Sequence, residues 1–114
     1  MRVMHFVTGG FSGATQVAVD LCLAARSAGM DVVLVLRRKR RTTLPAKVEA
    51  LRAQGLDVRV VPGWAHAATV WALRALALEW RPDILVAHGY SEHLWGRYAG
   101  LLAQVPRLVH VEHN

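Results

Sequence analysis

The sequence contains one cysteine, Cys22, so an internal disulfide cannot form and thiolate clusters for a metal are excluded. Cys22 sits among Leu21, Leu23 and Ala24 in a helical pattern, the setting of a buried, inert thiol. Long apolar runs are also missing. Glycine, proline, histidine or arginine interrupts every candidate for the roughly 18 apolar residues of a transmembrane helix. The opening segment Met1 to Val7 is too short for a secretory signal and runs into glycines. These absences point to an intracellular, cytoplasmic protein. Acidic residues are scarce, with 8 Asp and Glu against 14 Lys and Arg, and the formal charge is +6 at pH 7. Such a balance suits anionic partners such as nucleotide diphosphates, acidic lipids or nucleic acid. What the chain does have is apolar content. At 54% hydrophobic and 19% charged, its 114 residues can bury a core and form one domain, residues 1–114.

Short apolar β-rich runs alternate with longer helical segments, the signature of βαβ units on a parallel sheet. Five strands are expected, Arg2 to Thr8, Asp31 to Leu36, Val58 to Val61, Ile84 to His88 and Leu108 to Glu112. Val32 to Leu36 is apolar at every position, as when helices cover both sheet faces. Four helices lie between. The first spans about Ala14 to Ala28, with Ser12 as N-cap, Gly29 as stop, and Val17, Leu21, Ala24 and Ala28 as the expected stripe against the sheet. The second runs from Pro45 to Gln54 and stops at Gly55. The third, Ala67 to Trp80, presents Val70, Leu73, Leu76 and Ala77 inward. The fourth, Glu92 to Gln104, is capped by Ser91. Right-handed crossovers then give an α/β, doubly wound, Rossmann-like parallel sheet of about five strands in the order 3-2-1-4-5.

In such a sheet ligands bind beyond the carboxyl ends of the strands, where the strand order reverses. That edge gathers Thr8-Gly9-Gly10-Phe11-Ser12-Gly13, His88-Gly89-Tyr90-Ser91 and His113-Asn114. The glycine loop opens a helix, so its backbone N–H groups and the helix dipole suit an anion such as diphosphate; a tight turn alone would also require glycine. It is neither G-x-G-x-x-G nor a P-loop. Leu36 and Arg37 stand where a dinucleotide site places an acidic residue, which disfavours NAD and leaves NADP open. His88 and His113 each end an apolar strand, where imidazole can exchange a proton or hydrogen-bond a ligand; each also fits a plain polar strand terminus. His5 and His110 are read as packing within strands. Helical His-x-x-x-His spacing is absent, so no metal is expected. The run Arg37-Arg38-Lys39-Arg40-Arg41 fits a solvated turn or contact with an anionic membrane, and the lack of interleaved aromatics argues against nucleic acid. Among the tryptophans, Trp71 and Trp95 are read as core or core-margin residues of helices. Trp64, in a loop, can with Tyr90 and Trp95 stack on a sugar or meet a lipid interface.

Taken together, Gly9-Gly10 with Gly13, the helix end Ala28-Gly29-Met30-Asp31-Val32, Arg81-Pro82-Asp83-Ile84 with His88, and Val111-Glu112-His113-Asn114 resemble the N-terminal, acceptor-side domain of glycosyltransferase family four, a GT-B group of retaining enzymes. The resemblance covers the whole chain. It implies a parent enzyme of hexosyltransferase type that moves a sugar from a nucleotide-sugar donor to a glycan, lipid or small-molecule acceptor, without a metal or other cofactor. It also implies that Gly9, Gly10 and Gly13 lie against the donor diphosphate and acceptor pocket, and that His113 contacts the donor sugar as the catalytic candidate. His88 and Tyr90 are further substrate-binding candidates at the same edge. Val86 stands where the family often has a second histidine, and Ala14 where it often has another glycine.

The family's C-terminal, donor-binding domain has no counterpart in the chain, so the 114 residues alone are expected to be inactive, and to leave one sheet face incompletely covered in a way that favours self-association. Peripheral attachment at the inner face of a membrane, through the basic run, is a further expectation. A non-catalytic Rossmann- or flavodoxin-like module for a nucleotide or protein partner is the alternative, and an NADP-dependent reductase the third reading.

Overall fold

A computed structural model of the chain describes residues 1–8, 13–38, 45–88 and 104–111. Strands β1 (Arg2–Thr8), β2 (Asp31–Arg37), β3 (Asp57–Val61), β4 (Ile84–His88) and β5 (Arg107–Val111) alternate with helices α1 (Gly13–Ser27), α2 (Pro45–Ala53) and α3 (His66–Trp80). All pairings are parallel and the strand order is β3-β2-β1-β4-β5, as the crossover rule requires. Boundaries differ from the sequence expectation by a residue or so. The expected fourth helix lies outside the described residues, apart from Gln104, which sits in a turn.

The period of two in each strand sorts the core into two layers. One face carries Val7, Leu34, Leu36 and Val58 against Ala18, Val19 and Cys22 of α1 and Val48 and Leu51 of α2. The other carries Met4, Phe6, Val33, Val35, Val61 and Leu85 against Leu73 and Ala77 of α3, with Val70 and Leu76 packed at its margin. The α3 stripe is therefore the expected one. That of α1 is not. Val17 and Leu21 are 39% and 42% exposed, Ala24 and Ala28 also face outward, and the buried residues are Ala18, Val19 and Cys22. Apolar residues line both sides of this helix, so periodicity does not choose between them. The small side chains of Ala18 and Cys22 let the helix axis approach a sheet face already filled by leucine and valine. Burial pushes the Cys22 thiol up to about 12, which keeps it protonated.

The amino edge of the sheet is tied by Arg2. Its backbone N–H donates to Asp83 Oδ2 at 2.8 Å, and the Asp83 N–H donates back to the Arg2 carbonyl at 2.8 Å. The guanidinium donates through Nε and Nη2 to the Trp80 carbonyl at 3.0 and 2.7 Å and lies 4.0 Å from the centroid of the Trp80 ring. The side chain thus satisfies a carbonyl orphaned at the end of α3 and joins β1 to that helix, while the backbone of Arg2 ties β1 to Asp83 just before β4. Arg81, in the left-handed region at φ 54°, ends the helix, and its N–H donates to the Ala77 carbonyl at 2.8 Å. On the outermost strand β5, Val109 is 45% exposed.

Candidate functional site

β1 and β4 are neighbours where the strand order reverses, and their carboxyl ends bring the two described parts of the expected site together. His5 lies opposite Val86, so His5 and His88, two residues further along β4, share one face of the sheet. There His5 Nδ1 stands 2.8 Å from His88 Nε2, with ring centroids 5.1 Å apart and planes inclined by 28°. Both side chains are buried, His88 completely. Burial holds His5 down at about 4, because the apolar surroundings penalise imidazolium. At neutral pH, then, His5 is uncharged and a single N–H proton bridges the two rings. The direction of that bond ties the tautomer of one ring to that of the other.

His5 is a residue that the sequence reading treated as simple strand packing. The signal that finds it is topological. Once β1 and β4 are adjacent and parallel, an odd position on β1 and an even one on β4 fall on the same face, and both are histidines. His88 was expected to project into the crevice; instead its ring is wholly enclosed and one nitrogen is engaged by His5.

Gly13 is the first residue of α1, and no acidic residue occupies the first turn of that helix. The positive end of the helix dipole is therefore not offset by a carboxylate of its own, which suits an anion there. Gly9, Gly10, Tyr90 and His113 lie outside the described residues, as do Lys39, Arg40, Arg41, Ser12, Ser91 and Trp95.

Arg37, at the carboxyl end of β2, serves the fold. Its Nη2 donates to the Gly63 carbonyl at 3.1 Å and its Nε to Thr69 Oγ1 at 3.3 Å. The fully buried Thr69 hydroxyl in turn donates to the Pro62 carbonyl at 2.7 Å. A guanidinium held this way links β2 to the start of α3, which leaves little of it for a 2′-phosphate. Arg38 is exposed beside it, and its N–H donates to the Val61 carbonyl at 2.9 Å.

Two open depressions of about 220 and 270 Å³ occur among the described residues. The smaller is lined by Arg81, Asp83 and Val105 and the larger by Arg2, Asp31 and Asp57, so both lie at the amino ends of the strands. That is the edge opposite the one at which sheets of this topology bind their ligands. Among the described residues no group of three or more His, Cys, Asp or Glu could hold a metal ion.

The model of Glycosyltransferase Family 4 matches residues 11–114, nearly the whole chain. The chain belongs to glycosyltransferase family 4. A search of the curated proteins found no match. Among solved structures, the family 4 chain is similar to the apo form of WaaB, a lipopolysaccharide outer core galactosyltransferase, with a TM-score of 0.78 at 13% identity over 99% of this chain and 33% of that one. It is also similar to the glycosyltransferase VinC in complex with dTDP, at a TM-score of 0.67, 18% identity, and 96% and 34% coverage. A UDP-GlcNAc 2-epimerase from Neisseria meningitidis, bound to UDP-GlcNAc, gives a TM-score of 0.74 at 11% identity, with 97% and 32% coverage. The chain thus spans about a third of the length of these proteins. At such identities the likeness is one of fold, that of an N-terminal domain of the GT-B glycosyltransferase type.

Proposed function

We propose that this family 4 domain forms the acceptor side of a retaining, metal-independent glycosyltransferase that carries a sugar from a nucleotide-sugar donor to an acceptor hydroxyl. The observation that supports this most is the family match over residues 11–114, on a fold whose reversal point joins the carboxyl ends of β1 and β4. Fold alone would not separate transfer from epimerisation, since epimerases share it. Family membership favours transfer.

In this reaction the acceptor hydroxyl oxygen bonds to the anomeric carbon of the donor as the bond from that carbon to the diphosphate oxygen breaks, and the departing diphosphate takes the electron pair and the hydroxyl proton. The backbone N–H groups of the Gly9 to Gly13 loop and the amino end of α1 would meet that developing charge. His113 would orient the donor sugar. The His5–His88 pair would hold the carboxyl end of β4 in one arrangement. Uncharged at neutral pH, His5 adds no cation to the site. The NADP reading loses ground because the guanidinium of Arg37 is engaged by Gly63 and Thr69.

The test is a transfer assay on the complete enzyme with a panel of nucleotide sugars. His113→Ala is expected to lower turnover on the order of 100-fold, the size of effect seen when one stabilising donor is removed. Unchanged turnover removes His113 from the mechanism. The 114-residue chain alone is expected to transfer no sugar and hydrolyse no donor, and measurable activity would refute the division of labour between two domains.

A further inference from the structure

Helix α3 is apolar on both sides. Its inward stripe of Val70, Leu73, Leu76 and Ala77 packs into the core. On the opposite side Ala68, Trp71, Ala75 and Leu78 recur at spacings of three, four and three, the seam of two heptads. Trp71 is 57% exposed and Leu78 36%, and Ala75 is exposed between them. The expectation that Trp71 would fill the core or its margin is thus overturned: the inward positions of α3 are already taken, and position 71 falls on the far side of the helix. Trp64, likewise exposed, precedes the helix and is not part of this seam.

Two charges of opposite sign flank the seam. Arg74 immediately precedes Ala75 and Glu79 immediately follows Leu78, so the two stand five residues apart on opposite edges. The Arg74 guanidinium lies 5.2 Å from the centroid of the Trp71 ring, which holds it against the seam. Glu79 is exposed. Its charge acts on Arg59 of β3, but that guanidinium is already hydrogen-bonded to Asp57 at 2.7 and 3.2 Å. Among the described residues neither Arg74 nor Glu79 makes an ion pair. A five-residue offset across opposite edges is the spacing at which two parallel helices pair their flanking charges. Packed in parallel about a two-fold axis, Arg74 of each copy meets Glu79 of the other. Packed antiparallel, the two Arg74 edges would face each other and like charges would oppose. A surface of a single charge sign would attract one flank of the seam and repel the other. Ala68 and Ala75 are small enough to let two helix axes approach.

We propose that the outer face of α3 is a self-association surface, at which two copies of the chain pair through parallel α3 helices. Trp71, Ala75 and Leu78 form its seam, and Arg74 of each copy pairs with Glu79 of the other. The contact is isologous and closes as a dimer. From Ala68 to Glu79 it runs about 17 Å along the helix, so it is small and of the kind that exchanges. Tryptophan and arginine, the residue types that most often dominate interface energetics, sit at its centre. The surface is distinct from an incompletely covered sheet face, because α3 covers the sheet with its other side. It stands independently of sugar transfer.

The test is sedimentation velocity of the complete protein over about 2 to 200 µM, the range of a small interface. The sedimentation coefficient is expected to rise with concentration toward that of a dimer. Trp71→Ser, which alters an exposed side chain, is expected to raise the dissociation constant about tenfold or more. Arg74→Glu and Glu79→Arg each set like charges across the seam and should each raise it about fivefold or more. An equimolar mixture of these two variants, or the double variant Arg74→Glu/Glu79→Arg, should recover most of the lost affinity. A variant that merely folds poorly cannot give that recovery, and the concentration dependence of the unaltered protein needs no variant. A monomer at every concentration would overturn the proposal and leave the face to a different partner. So would a dimer that Trp71→Ser leaves intact, or single charge reversals without effect, the result that antiparallel packing or another surface would produce.

Discussion

His5 and His88 make a buried contact in which a single proton serves two rings, and that has a consequence for stability against pH. His5 titrates near 4 in the fold, against about 6.5 when unfolded. Between those values the unfolded chain binds the extra proton, so stability rises with pH. The contribution is complete above 6.5, declines as pH falls, and is lost by about 4, a swing of roughly 3 kcal/mol. Urea denaturation at pH 7 and pH 4.5 should show it. In His5→Phe the drop between these two pH values should shrink by about 2 kcal/mol, while stability at pH 7 falls by about 1–3 kcal/mol because the buried hydrogen bond between the two rings is lost. Two glycines provide a different check. Gly29 has φ +84° but open space around a would-be Cβ, so Gly29→Ala should cost only the backbone term of about 1 kcal/mol. Gly63 abuts the Arg38 carbonyl, a backbone atom that cannot swing aside, so Gly63→Ala should cost more, about 2 kcal/mol or above, measured by the same denaturation. Gly29 was legible as a helix stop. The close approach at Gly63 was not, because Arg38 lies 25 residues away in sequence.

Helices α1 and α3 differ in how well their packing could be read. In α3 the large residues Leu73 and Leu76 mark the inward side and Arg74 marks the outward one, so the phase was evident. Leu73, fully buried, should cost about 2–5 kcal/mol when changed to alanine, read as a lower denaturation midpoint. In α1 the larger residues Val17 and Leu21 face outward and the small ones Ala18 and Cys22 face the sheet. Leu21→Ala should therefore change stability by less than about 0.5 kcal/mol, the reverse of what bulk alone would suggest. Cys22, with its thiol held near 12, should react with a thiol reagent only on unfolding, so the labelling rate in native buffer should follow global opening.

One sheet separates the two apolar layers, and every strand of β1 to β4 contributes to at least one of them. Neither layer can open without exposing the other side of the same strands. Unfolding should accordingly be a single cooperative transition, with far-UV circular dichroism and tryptophan fluorescence tracing coincident urea curves. Non-coincident curves would mean that the layers melt separately.

From the sequence alone follow the alternation of strands and helices, the parallel sheet in its order 3-2-1-4-5, and the point between β1 and β4 where that order reverses. All three rest on local periodicity, turn residues and the handedness of crossovers, which act over short stretches of chain. The phase of α1, the enclosure of His88 by His5, the commitment of Arg37 to Gly63 and Thr69, and the outward placement of Trp71 on α3 were decided by the tertiary structure. Each depends on which distant side chains compete for the same volume or the same hydrogen bond, and neither periodicity nor spacing carries that information.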